Sequence, residues 1–257
     1  MSFAPKNAVE LSVIVPAFNE AARIMPGVQA IMGFLREGGR SWELIVVDDG
    51  SADATAEIVE QAIGGEVRAR LIQYRPNRGK GFAVRTGVLA ATGMWIVFLD
   101  ADLSTPVEEI DRAMPRLQSG VDLVVGSRAH PDARIERKSP LFRRMASAVF
   151  DRMRNAIVGL RQFSDTQCGF KAARGDAVRP LYERAVIERF MFDVEILYLA
   201  KRAGLRMEEL PVRWADSSGS TVRLFPGVYR MFRDLLRIRR VHGDVRVLPG
   251  VPTDSTA

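Results

Sequence analysis

Two carboxylates one residue apart follow an apolar run near the middle of the chain. The run, Trp95–Leu99, reads WIVFL and predicts a strand that is buried on both faces. Asp100 and Asp102 come directly after it, and a spacing of two in extended backbone points both side chains the same way. Carboxylates suit Mg²⁺ or Mn²⁺, whose remaining ligands are then substrate phosphates. The pattern favours a hard-cation site; alternatively, Asp102 only begins the turn into a helix that Pro106 opens.

Polar residues also follow three other runs that read as strands. These endings are Pro16-Ala-Phe-Asn-Glu20, Asp48-Asp-Gly-Ser51 and Asn77-Arg-Gly-Lys-Gly81. In an open parallel sheet, ligands bind beyond the carboxyl ends of the strands. A helix cap would explain one such ending. Four of them on one edge, with Asp100-Ala-Asp102, indicate a site for a nucleotide, its phosphates and a metal ion.

Two common phosphate-binding motifs are excluded by their spacing. The segment Arg78-Gly-Lys-Gly81 lacks the glycine spacing of a Walker A loop and the Ser or Thr that follows its lysine. A Rossmann fingerprint needs Gly-x-Gly-x-x-Gly after the first strand, where this chain has Pro-Ala-Phe-Asn-Glu. Sugar nucleotidyltransferases would also be expected to carry a glycine-rich loop there, so that class is disfavoured.

The composition limits the classes of protein to which the chain can belong. Its 257 residues fit one large α/β domain, or one domain with an appendage. The single cysteine, Cys168, excludes an internal disulfide framework and a cysteine-based zinc site, and we interpret it as a packed small residue. The chain has only two histidines, His130 and His242, so a Ser-His-Asp catalytic triad is disfavoured. The net charge of +6 favours anionic partners: nucleic acid, nucleotides, phosphates or anionic lipid headgroups.

The sequence also bears on membranes. It has no run of about 18 or more apolar residues, and its first residues lack the apolar region of a signal peptide. We therefore expect a cytoplasmic protein that is free or peripheral on the cytoplasmic face of a membrane. Residues 228–241 predict a basic amphipathic helix, which either packs on the domain or lies on a surface of anionic lipid.

Predicted strands alternate with predicted helices through the first half of the chain. The strands are at 11–15, 43–47, 70–74, 95–99 and 121–125, and three of the helices are at 20–36, 81–91 and 106–118. Ser51, Asp53 and Thr55 predict the cap of a further helix that ends near residue 63. This rhythm predicts an α/β fold with a mainly parallel central sheet covered by helices on both faces. Later in the chain, strands are predicted near 169–173 and at 207–214.

Taken in order, the motifs resemble those of family 2 glycosyltransferases, which have the GT-A fold. The first five blocks are Val13-Ile-Val-Pro-Ala-Phe-Asn-Glu20, Val46-Val-Asp-Asp-Gly-Ser51, Asn77-Arg-Gly-Lys-Gly81, Asp100-Ala-Asp102 and Val125-Gly-Ser-Arg128. The later blocks resemble the branch that contains dolichyl-phosphate β-glucosyltransferases and polyprenyl-phosphate mannose synthases. These are Asp165-Thr-Gln-Cys-Gly-Phe-Lys171, Phe192-Asp-Val-Glu195 and Glu209-Leu-Pro-Val-Arg-Trp214. Each block alone is a weak signal, but the ordered set is highly specific.

The resemblance implies roles for particular residues. The nucleotide-sugar site would contain Pro16, Ala17, Glu20, Asp48, Asp49, Lys80, Asp100 and Ala101. Within it, Asp49 would lie near the base and Lys80 by the nucleotide, while Asp100 and Asp102 would hold Mg²⁺ or Mn²⁺ on the diphosphate. A divalent ion there neutralises the charge that builds on the departing nucleoside diphosphate. The residues expected at the reacting centre are Asp102, Arg128, Asp165 and Gln167.

A basic segment after Arg128 is the candidate site for an acceptor phosphate. The residues expected to bind it are Arg128, Lys138, Arg143 and Arg144, since the forked donors of arginine suit phosphate. Alternatively, this cluster is a solvated helix face. Because a phosphate monoester is already anionic at neutral pH, it needs positioning more than deprotonation. We interpret Glu195 as an organiser of the site and assign it no role as a base.

The predicted reaction is an inverting, metal-dependent transfer of a hexose to a dolichyl or polyprenyl phosphate, which gives a β-linked product. Mannose synthases of this type can place Gln two residues after the second Asp. This chain has Ser104 there, which favours glucose from UDP-glucose. GDP-mannose and a UDP-N-acetylhexosamine remain alternative donors. A module that binds anionic lipid or nucleic acid is disfavoured, because the aromatic residues are not interleaved with the basic ones.

The resemblance also divides the chain. We expect a GT-A glycosyltransferase domain over residues 8–222, a basic amphipathic helical extension over 223–245 and a disordered tail over 246–257. The expected partners are a nucleotide-sugar donor, a polyprenyl or dolichyl phosphate and a membrane surface, without nucleic acid. The sequence makes no prediction of the oligomeric state.

Overall fold

Nine strands and eight helices are found in the part of the chain that the computed structural model describes, residues 9–136, 141–215 and 225–243; for 141–146 and 225–228 only the backbone is described. The strands are β1 (Leu11–Ala17), β2 (Trp42–Asp48), β3 (Ala69–Gln73), β4 (Trp95–Leu99), β5 (Leu123–Ser127), β6 (Arg134–Ile135), β7 (Phe170–Arg174), β8 (Met207–Pro211) and β9 (Arg213–Trp214). The helices are α1 (Ile24–Glu37), α2 (Thr55–Ile63), α3 (Lys80–Ala90), α4 (Glu109–Gln118), α5 (Leu141–Ile157), α6 (Gly175–Arg184), α7 (Phe192–Arg202) and α8 (Phe225–His242).

Seven strands form the main sheet, in the order β3-β2-β1-β4-β7-β5-β8. Every neighbouring pair is parallel except those that include β7, which runs antiparallel to both β4 and β5. Strands β6 and β9 form a separate parallel pair. The predicted α/β fold with a mainly parallel sheet is therefore confirmed.

Apolar side chains fill both faces of the sheet. Along β1, Val13 and Ile14 are both fully buried and belong to apolar clusters on opposite faces. This follows from the alternation of side chains along a strand, and it explains why the central strands read as continuous apolar runs. Helices cover each face, so a solvent-accessible site is expected at an edge of the sheet.

Several predicted element boundaries were wrong, among them the start of α4, which is Glu109 rather than Pro106, and the bounds of β5; two others have local reasons. Helix α1 begins at Ile24 rather than at Glu20, because the backbone of Arg23 has a non-helical φ of −142° and interrupts the helix there. Before it, the carbonyl of Glu20 accepts hydrogen bonds from the amides of Arg23 and Ile24, both at 2.9 Å. Ser51 does not cap α2, whose N-cap residue is Ala54. The Ser51 hydroxyl instead donates to the Asp48 carboxylate.

The single strand predicted at 207–214 is two strands. β8 ends at Pro211, and the chain then changes its partner: the amide of Val212 still donates to the carbonyl of Ser127 on β5, but the carbonyl of Val212 accepts from the amide of Arg134 at 3.1 Å. Proline has no amide hydrogen to continue a ladder, which favours a break at this point. As a result, β9 leaves the main sheet and pairs with β6.

Helix α8 packs on the domain with one face. Leu235 and Ile238 are fully buried in the apolar cluster on that side of the sheet, and His242 is also buried. The opposite face exposes three large apolar side chains, Tyr229, Phe232 and Leu236. No helix in the described ranges is both long enough and apolar enough to span a bilayer.

A buried carboxylate joins strands far from the polar edge. Glu43 on β2 accepts hydrogen bonds from the Ser12 hydroxyl at 2.6 Å and from the Thr92 amide at 2.6 Å, and pairs with Arg70 at 2.7 Å. Burial opposes ionisation, but these hydrogen bonds keep the pKa of Glu43 below its ordinary value. The charged form of Glu43 is therefore the one that stabilises the fold.

We expect Glu43→Gln to lower the free energy of unfolding by about 2 kcal/mol at pH 7, because an amide NH₂ then faces the Arg70 donor. The difference from the wild type should shrink as the pH falls through the lowered pKa of Glu43, because the residue in the folded wild type then becomes protonated too. Urea denaturation at several pH values measures both effects. Glu60→Gln, at an exposed position on α2, is the control. An equal loss in both variants would contradict this role of Glu43.

Candidate active site

The polar residues that follow the strands lie along one edge of the main sheet, which we call the carboxyl edge. Strands β1, β2, β4 and β5 end there, and because β7 is antiparallel, the loop 164–169 before it lies there too. The strand order reverses between β1 and β4, and open α/β sheets bind ligands at this type of switch point. Asp100, which follows β4, therefore lies at the centre of the carboxyl edge.

A tight turn carries the two central carboxylates. The amide of Leu103 donates to the carbonyl of Asp100 at 3.1 Å, and Leu103 has a left-handed φ of 48°. The amide of Ser104 donates to Asp102 Oδ1 at 3.0 Å. Ala101, between the two carboxylates, is buried, so any contact with a ligand falls to its backbone. The two carboxylates therefore lie at the carboxyl edge, but the expected extended backbone between them was wrong, because residues 101–102 form a turn.

Asp100 is held between a glycine and a lysine. Its amide donates to the carbonyl of Gly169 at 3.1 Å, and a Cβ added at Gly169 would overlap the Asp100 carboxylate. On the other side, Lys80 Nζ lies 2.5 Å from Asp100 Oδ1. Burial opposes the charge of Lys80, but the carboxylates of Asp100 and Asp193 raise the pKa of Lys80 above its ordinary value. Lys80 is therefore a cation in this site.

Two glycines let the backbone around Lys80 approach the segment before α7. Gly79 has a φ of 111°, and a Cβ there would lie 2.8 Å from the carbonyl oxygen of Glu188. A Cβ on Gly81 would lie 2.6 Å from Phe192 Cβ. This close packing explains the Gly-Lys-Gly pattern: the glycines are needed to place Lys80, and the segment is not a phosphate loop of the Walker type.

Asp49 organises the loop that leads to Lys80. Its carboxylate accepts hydrogen bonds from the Tyr74 hydroxyl at 2.8 Å, Asn77 Nδ2 at 2.7 Å and the amides of Arg78 and Gly79 at 2.8 and 2.7 Å. Burial, together with Asp49, raises the pKa of Tyr74, so its hydroxyl remains a donor. These donors occupy both carboxylate oxygens of Asp49 and fix its orientation. The contact of Asp49 with the nucleotide base stays a prediction.

The ends of β1 and β2 are linked to each other. The amide of Asn19 donates to Ser51 Oγ at 2.9 Å, and the amide of Glu20 donates to Thr55 Oγ1 at 2.8 Å. The predicted residues Pro16, Ala17 and Asp48 are buried beneath this link. The structure thus brings these predicted nucleotide residues to one half of the carboxyl edge.

Arg23 belongs to the site although the motifs did not indicate it. Its guanidinium pairs with the Glu20 carboxylate, and a second hydrogen bond between them is 2.8 Å long. Hydrogen bonding to Glu20, and to a smaller extent the charges of Asp102 and Asp100, raise the pKa of Arg23. The proximity of Arg23 to the two carboxylates depends on the turn before α1, which the predicted helix start at Glu20 had hidden.

Arg128 and Asp165 form a paired group on the other half of the carboxyl edge. Arg128 Nε and Nη2 donate to the two oxygens of Asp165, at 2.7 and 3.1 Å, and the amide of Gln167 donates to Asp165 Oδ1 at 2.9 Å. Burial opposes both charges, yet Arg128 keeps the pKa of Asp165 low and Asp165 raises the pKa of Arg128. Asp165 is therefore an ionised partner that orients Arg128.

Two further residues fix the loop that carries Asp165. Glu209 accepts hydrogen bonds from the amides of Ser164 at 2.7 Å and Asp165 at 3.1 Å. Arg154, which is almost completely buried, donates to the carbonyl of Phe163 at 2.8 Å. Glu209 lies in one of the sequence blocks quoted above. Arg154 was missed, because it belongs to a basic helix whose arginines were expected at the surface.

Behind the site lies a second, buried ion pair between Lys171 and Asp193. The distance from Lys171 Nζ to Asp193 Oδ1 is 2.5 Å, and both side chains are about 5% exposed or less. Burial raises the pKa of Asp193, while Lys171 and Lys80 oppose that shift. Glu195, two residues further along α7, accepts hydrogen bonds from the amides of Val186 and Ile187, both at 2.9 Å, as expected of an organiser.

The remaining predicted residues have different outcomes. Cys168 is fully buried, and burial raises the pKa of its thiol to about 11, so the interpretation as a packed residue is confirmed. Lys138 lies outside the described residues, as do the side chains of Arg143 and Arg144. Their contact with an acceptor phosphate stays a prediction.

The two central carboxylates fit a hard divalent cation. Asp100 and Asp102 offer oxygen ligands, and the Lys80 ammonium already lies against one of these oxygens, where a cation is attracted. In the described ranges, no group of three or more His, Cys, Asp or Glu residues could hold a metal ion. Mg²⁺ is commonly bound by one or two carboxylates together with substrate phosphates, which matches a pair of this kind.

Solved glycosyltransferase structures share this fold. Glucosyl-3-phosphoglycerate synthase from Mycobacterium tuberculosis, in complex with Mn²⁺, uridine-diphosphate-glucose and phosphoglyceric acid, matches with a TM-score of 0.66 at 21% identity. That match covers 95% of this chain and 81% of the other. The complex of the same synthase with uridine diphosphate gives a TM-score of 0.64 at 22% identity, over 95% of this chain and 82% of the other. The fold is thus that of the GT-A class of glycosyltransferases.

The sequence comparison is more specific than the fold. The family model described as Glycosyl transferase family 2 matches residues 12–177. The chain belongs to this family and is a glycosyltransferase.

Curated relatives match over most of the chain. The dolichyl-phosphate β-glucosyltransferase of Dictyostelium discoideum is 34% identical, over 91% of this chain and 75% of its own length. The Drosophila melanogaster enzyme of that name is 36% identical, over 90% of this chain and 74% of its length. The Homo sapiens one is 33% identical, over 90% and 75% respectively.

Proposed function

We propose that this glycosyltransferase transfers glucose from UDP-glucose to a dolichyl or polyprenyl phosphate, with Mg²⁺ or Mn²⁺, to give a β-linked product. The observation that carries the proposal is the arrangement along the carboxyl edge. Asp100 and Asp102 lie between the loops at the ends of β1, β2 and β3 and the Arg128–Asp165 pair after β5. A donor diphosphate and an acceptor phosphate would therefore meet at the central carboxylates.

The donor half of the site binds and neutralises the leaving group. Asp100 and Asp102 would hold the divalent ion, which supplies Lewis-acid stabilisation of the nucleoside diphosphate as it departs. Lys80 and Arg23 add positive charge beside these carboxylates. Such fixed charges stabilise the transition state because they need no reorganisation during the reaction.

The acceptor half positions an anion. Asp165 holds the Arg128 guanidinium by two hydrogen bonds, so its fork is oriented before the acceptor arrives. The charge of Asp100 helps to raise the pKa of Arg128, and the charge of Arg128 tends to lower the pKa of Lys80. These interactions support a short distance between the donor half and the acceptor half of the site. A phosphate oxygen held there would attack the anomeric carbon in line with the leaving diphosphate. Such an attack inverts the configuration at that carbon and gives the proposed β-linked product.

The donor sugar is proposed from the relatives and from Ser104. The curated relatives reported above are named dolichyl-phosphate β-glucosyltransferases. Ser104 lies two residues after Asp102, and its amide supports that carboxylate. A short side chain at this position favours the glucosyl branch over the mannose synthases that place glutamine there.

A donor screen tests this proposal. Purified protein is incubated with Mn²⁺, a polyprenyl phosphate and, separately, labelled UDP-glucose, GDP-mannose or UDP-N-acetylglucosamine, and the label in the lipid extract is counted. We expect label from UDP-glucose only. Label from GDP-mannose would favour the mannose synthase alternative, and label in no lipid would contradict the proposed acceptor class.

The exposed face of α8 supports peripheral attachment to a membrane with anionic headgroups. Three exposed apolar side chains, Tyr229, Phe232 and Leu236, lie along this face. Exposed arginines surround them: Arg230, Arg233, Arg237, Arg239 and Arg240. A helix with apolar side chains among arginines suits the interface of an anionic bilayer, which is where a polyprenyl phosphate resides.

We expect Leu236→Glu to lower partitioning onto anionic phospholipid vesicles by about tenfold. The change removes apolar area that enters the bilayer interface on binding, and it adds a negative charge that the anionic headgroups repel. Vesicle co-sedimentation measures the partitioning. Val67→Glu, at a position 95% exposed and far along the chain from α8, is the matched control. Equal binding by both variants would contradict attachment through α8.

A further inference from the structure

A cation of the protein itself lies on one of the two proposed metal ligands. The Nζ of Lys80 is 2.5 Å from Asp100 Oδ1, and both side chains are partly buried. The Asp100 carboxylate has little freedom to leave this contact, because it packs directly against the backbone of Gly169. The ion pair therefore occupies the place where a metal ion would make its first contact with Asp100.

The position of Lys80 is built into the fold. It is the first residue of α3, and the glycines on either side of it pack against residues 187–192. Its Nζ also lies 5.7 Å from the centre of the Phe98 ring, whose other cationic neighbour is Lys171 at 5.0 Å. Lys171 is neutralised by Asp193 at 2.5 Å, which leaves Asp100 as the ion-pair partner of Lys80.

These contacts have a consequence for the order of binding. A divalent ion that enters the site without a nucleotide meets a carboxylate already neutralised by Lys80, and it is repelled by the ammonium. A diphosphate brings negative charge that can attract the ammonium and free Asp100 for the metal ion.

We propose that Lys80 is a place-holding cation: it occupies Asp100 until the nucleotide diphosphate arrives, so that the metal ion binds tightly only together with the nucleotide. The inference rests on the proposed metal-dependent donor site. It concerns the coupling between the two ligands, which the family resemblance and the proposed reaction leave open.

The test is a titration with Mn²⁺, followed by the electron paramagnetic resonance signal of free Mn²⁺, with and without UDP. We expect UDP to raise the Mn²⁺ affinity of the wild type by at least about tenfold. Without UDP, Lys80→Gln should bind Mn²⁺ at least about tenfold more tightly than the wild type, because the repelling charge is gone. In that variant, UDP should raise the affinity by a smaller factor.

Two variants control for charge. Lys80→Arg keeps the cation and should bind Mn²⁺ without UDP as weakly as the wild type. Lys201→Gln removes one positive charge away from the carboxyl edge, where Lys201 donates to the carbonyl of Gly159, and should leave both Mn²⁺ affinities unchanged.

The outcomes separate this inference from the function on which it rests. UDP-dependent Mn²⁺ binding by the wild type, with the same UDP-free affinity in Lys80→Gln, would overturn the role of Lys80 alone. Equal Mn²⁺ affinity of the wild type with and without UDP would overturn it without any variant. A wild type that binds no Mn²⁺ even with UDP would contradict the metal-dependent donor site, and this inference with it.

Discussion

Replacing Asp102 with alanine is expected to lower kcat by about 1,000-fold or more at saturating Mn²⁺, because stabilisation of the leaving diphosphate by several kcal/mol is lost. The side chain lies in a turn at the surface of the carboxyl edge and accepts a hydrogen bond from the Ser104 amide. The fold should therefore survive the change. Steady-state transfer of labelled glucose to polyprenyl phosphate measures the effect.

Asp176→Ala serves as the matched control for that variant. Asp176 is 58% exposed in the first turn of α6, which follows β7 at the opposite edge of the sheet, so its loss should leave kcat unchanged. Full activity of Asp102→Ala with saturating Mg²⁺ or Mn²⁺ would show that the assignment of the metal site is wrong.

The second large effect is expected at Arg128. Lysine at this position keeps the positive charge but lacks the paired N–H donors of the guanidinium. Arg128→Lys should therefore lower kcat/KM for the acceptor phosphate by about 100-fold. The retained positive charge still compensates the buried Asp165, which protects the fold. Transfer rates at varied polyprenyl phosphate, with UDP-glucose saturating, give the acceptor kcat/KM.

The same variant separates the two halves of the carboxyl edge. Calorimetric titration with UDP in the presence of Mn²⁺ should give the wild-type affinity, because Arg128 lies on the acceptor side. Arg85→Lys, on α3, is the control for a generic change of arginine to lysine. Weakened UDP binding with an unchanged acceptor kcat/KM would assign Arg128 to the donor instead.

Much of the sheet could be predicted because the positions of its strands follow from local patterns. Short apolar runs such as Trp95–Leu99 are typical of strands buried on both faces, and each is followed by the polar residues that form the site. The parallel arrangement then fixes that these endings share one edge. The placement of Asp100 and Asp102 at the same edge as the other polar strand endings was therefore accessible from the sequence alone, whereas their central position depends on the strand order.

The parts that could not be predicted depend on contacts between distant segments. The antiparallel direction of β7 places the loop with Asp165 beside Arg128, and no local pattern specifies that direction. The burial of Arg154 depends on the carbonyl of Phe163, which a helix pattern does not contain. Likewise, the pairing of Lys171 with Asp193 joins β7 to α7 across the core.

Some local features were also misread for a physical reason. Ser51 has the residue type of a helix cap, but Asp48, three residues earlier, offers its hydroxyl a stronger, charged acceptor. Ser51 therefore stabilises the loop after β2 instead of capping α2. Residues at the edge that carries the functional site can be expected to depart in this way from the usual preferences for helix caps.

The central claim is a metal-dependent transfer of glucose from UDP-glucose to a polyprenyl phosphate. The most direct measurement isolates the lipid product of that reaction and determines its anomeric configuration by nuclear magnetic resonance, with parallel reactions in excess EDTA and after Mn²⁺ is restored. We predict a β-linked glucosyl phosphate lipid that is absent in EDTA and returns with Mn²⁺. Undiminished product in EDTA, an α-linked product or no lipid-linked glucose would contradict the account.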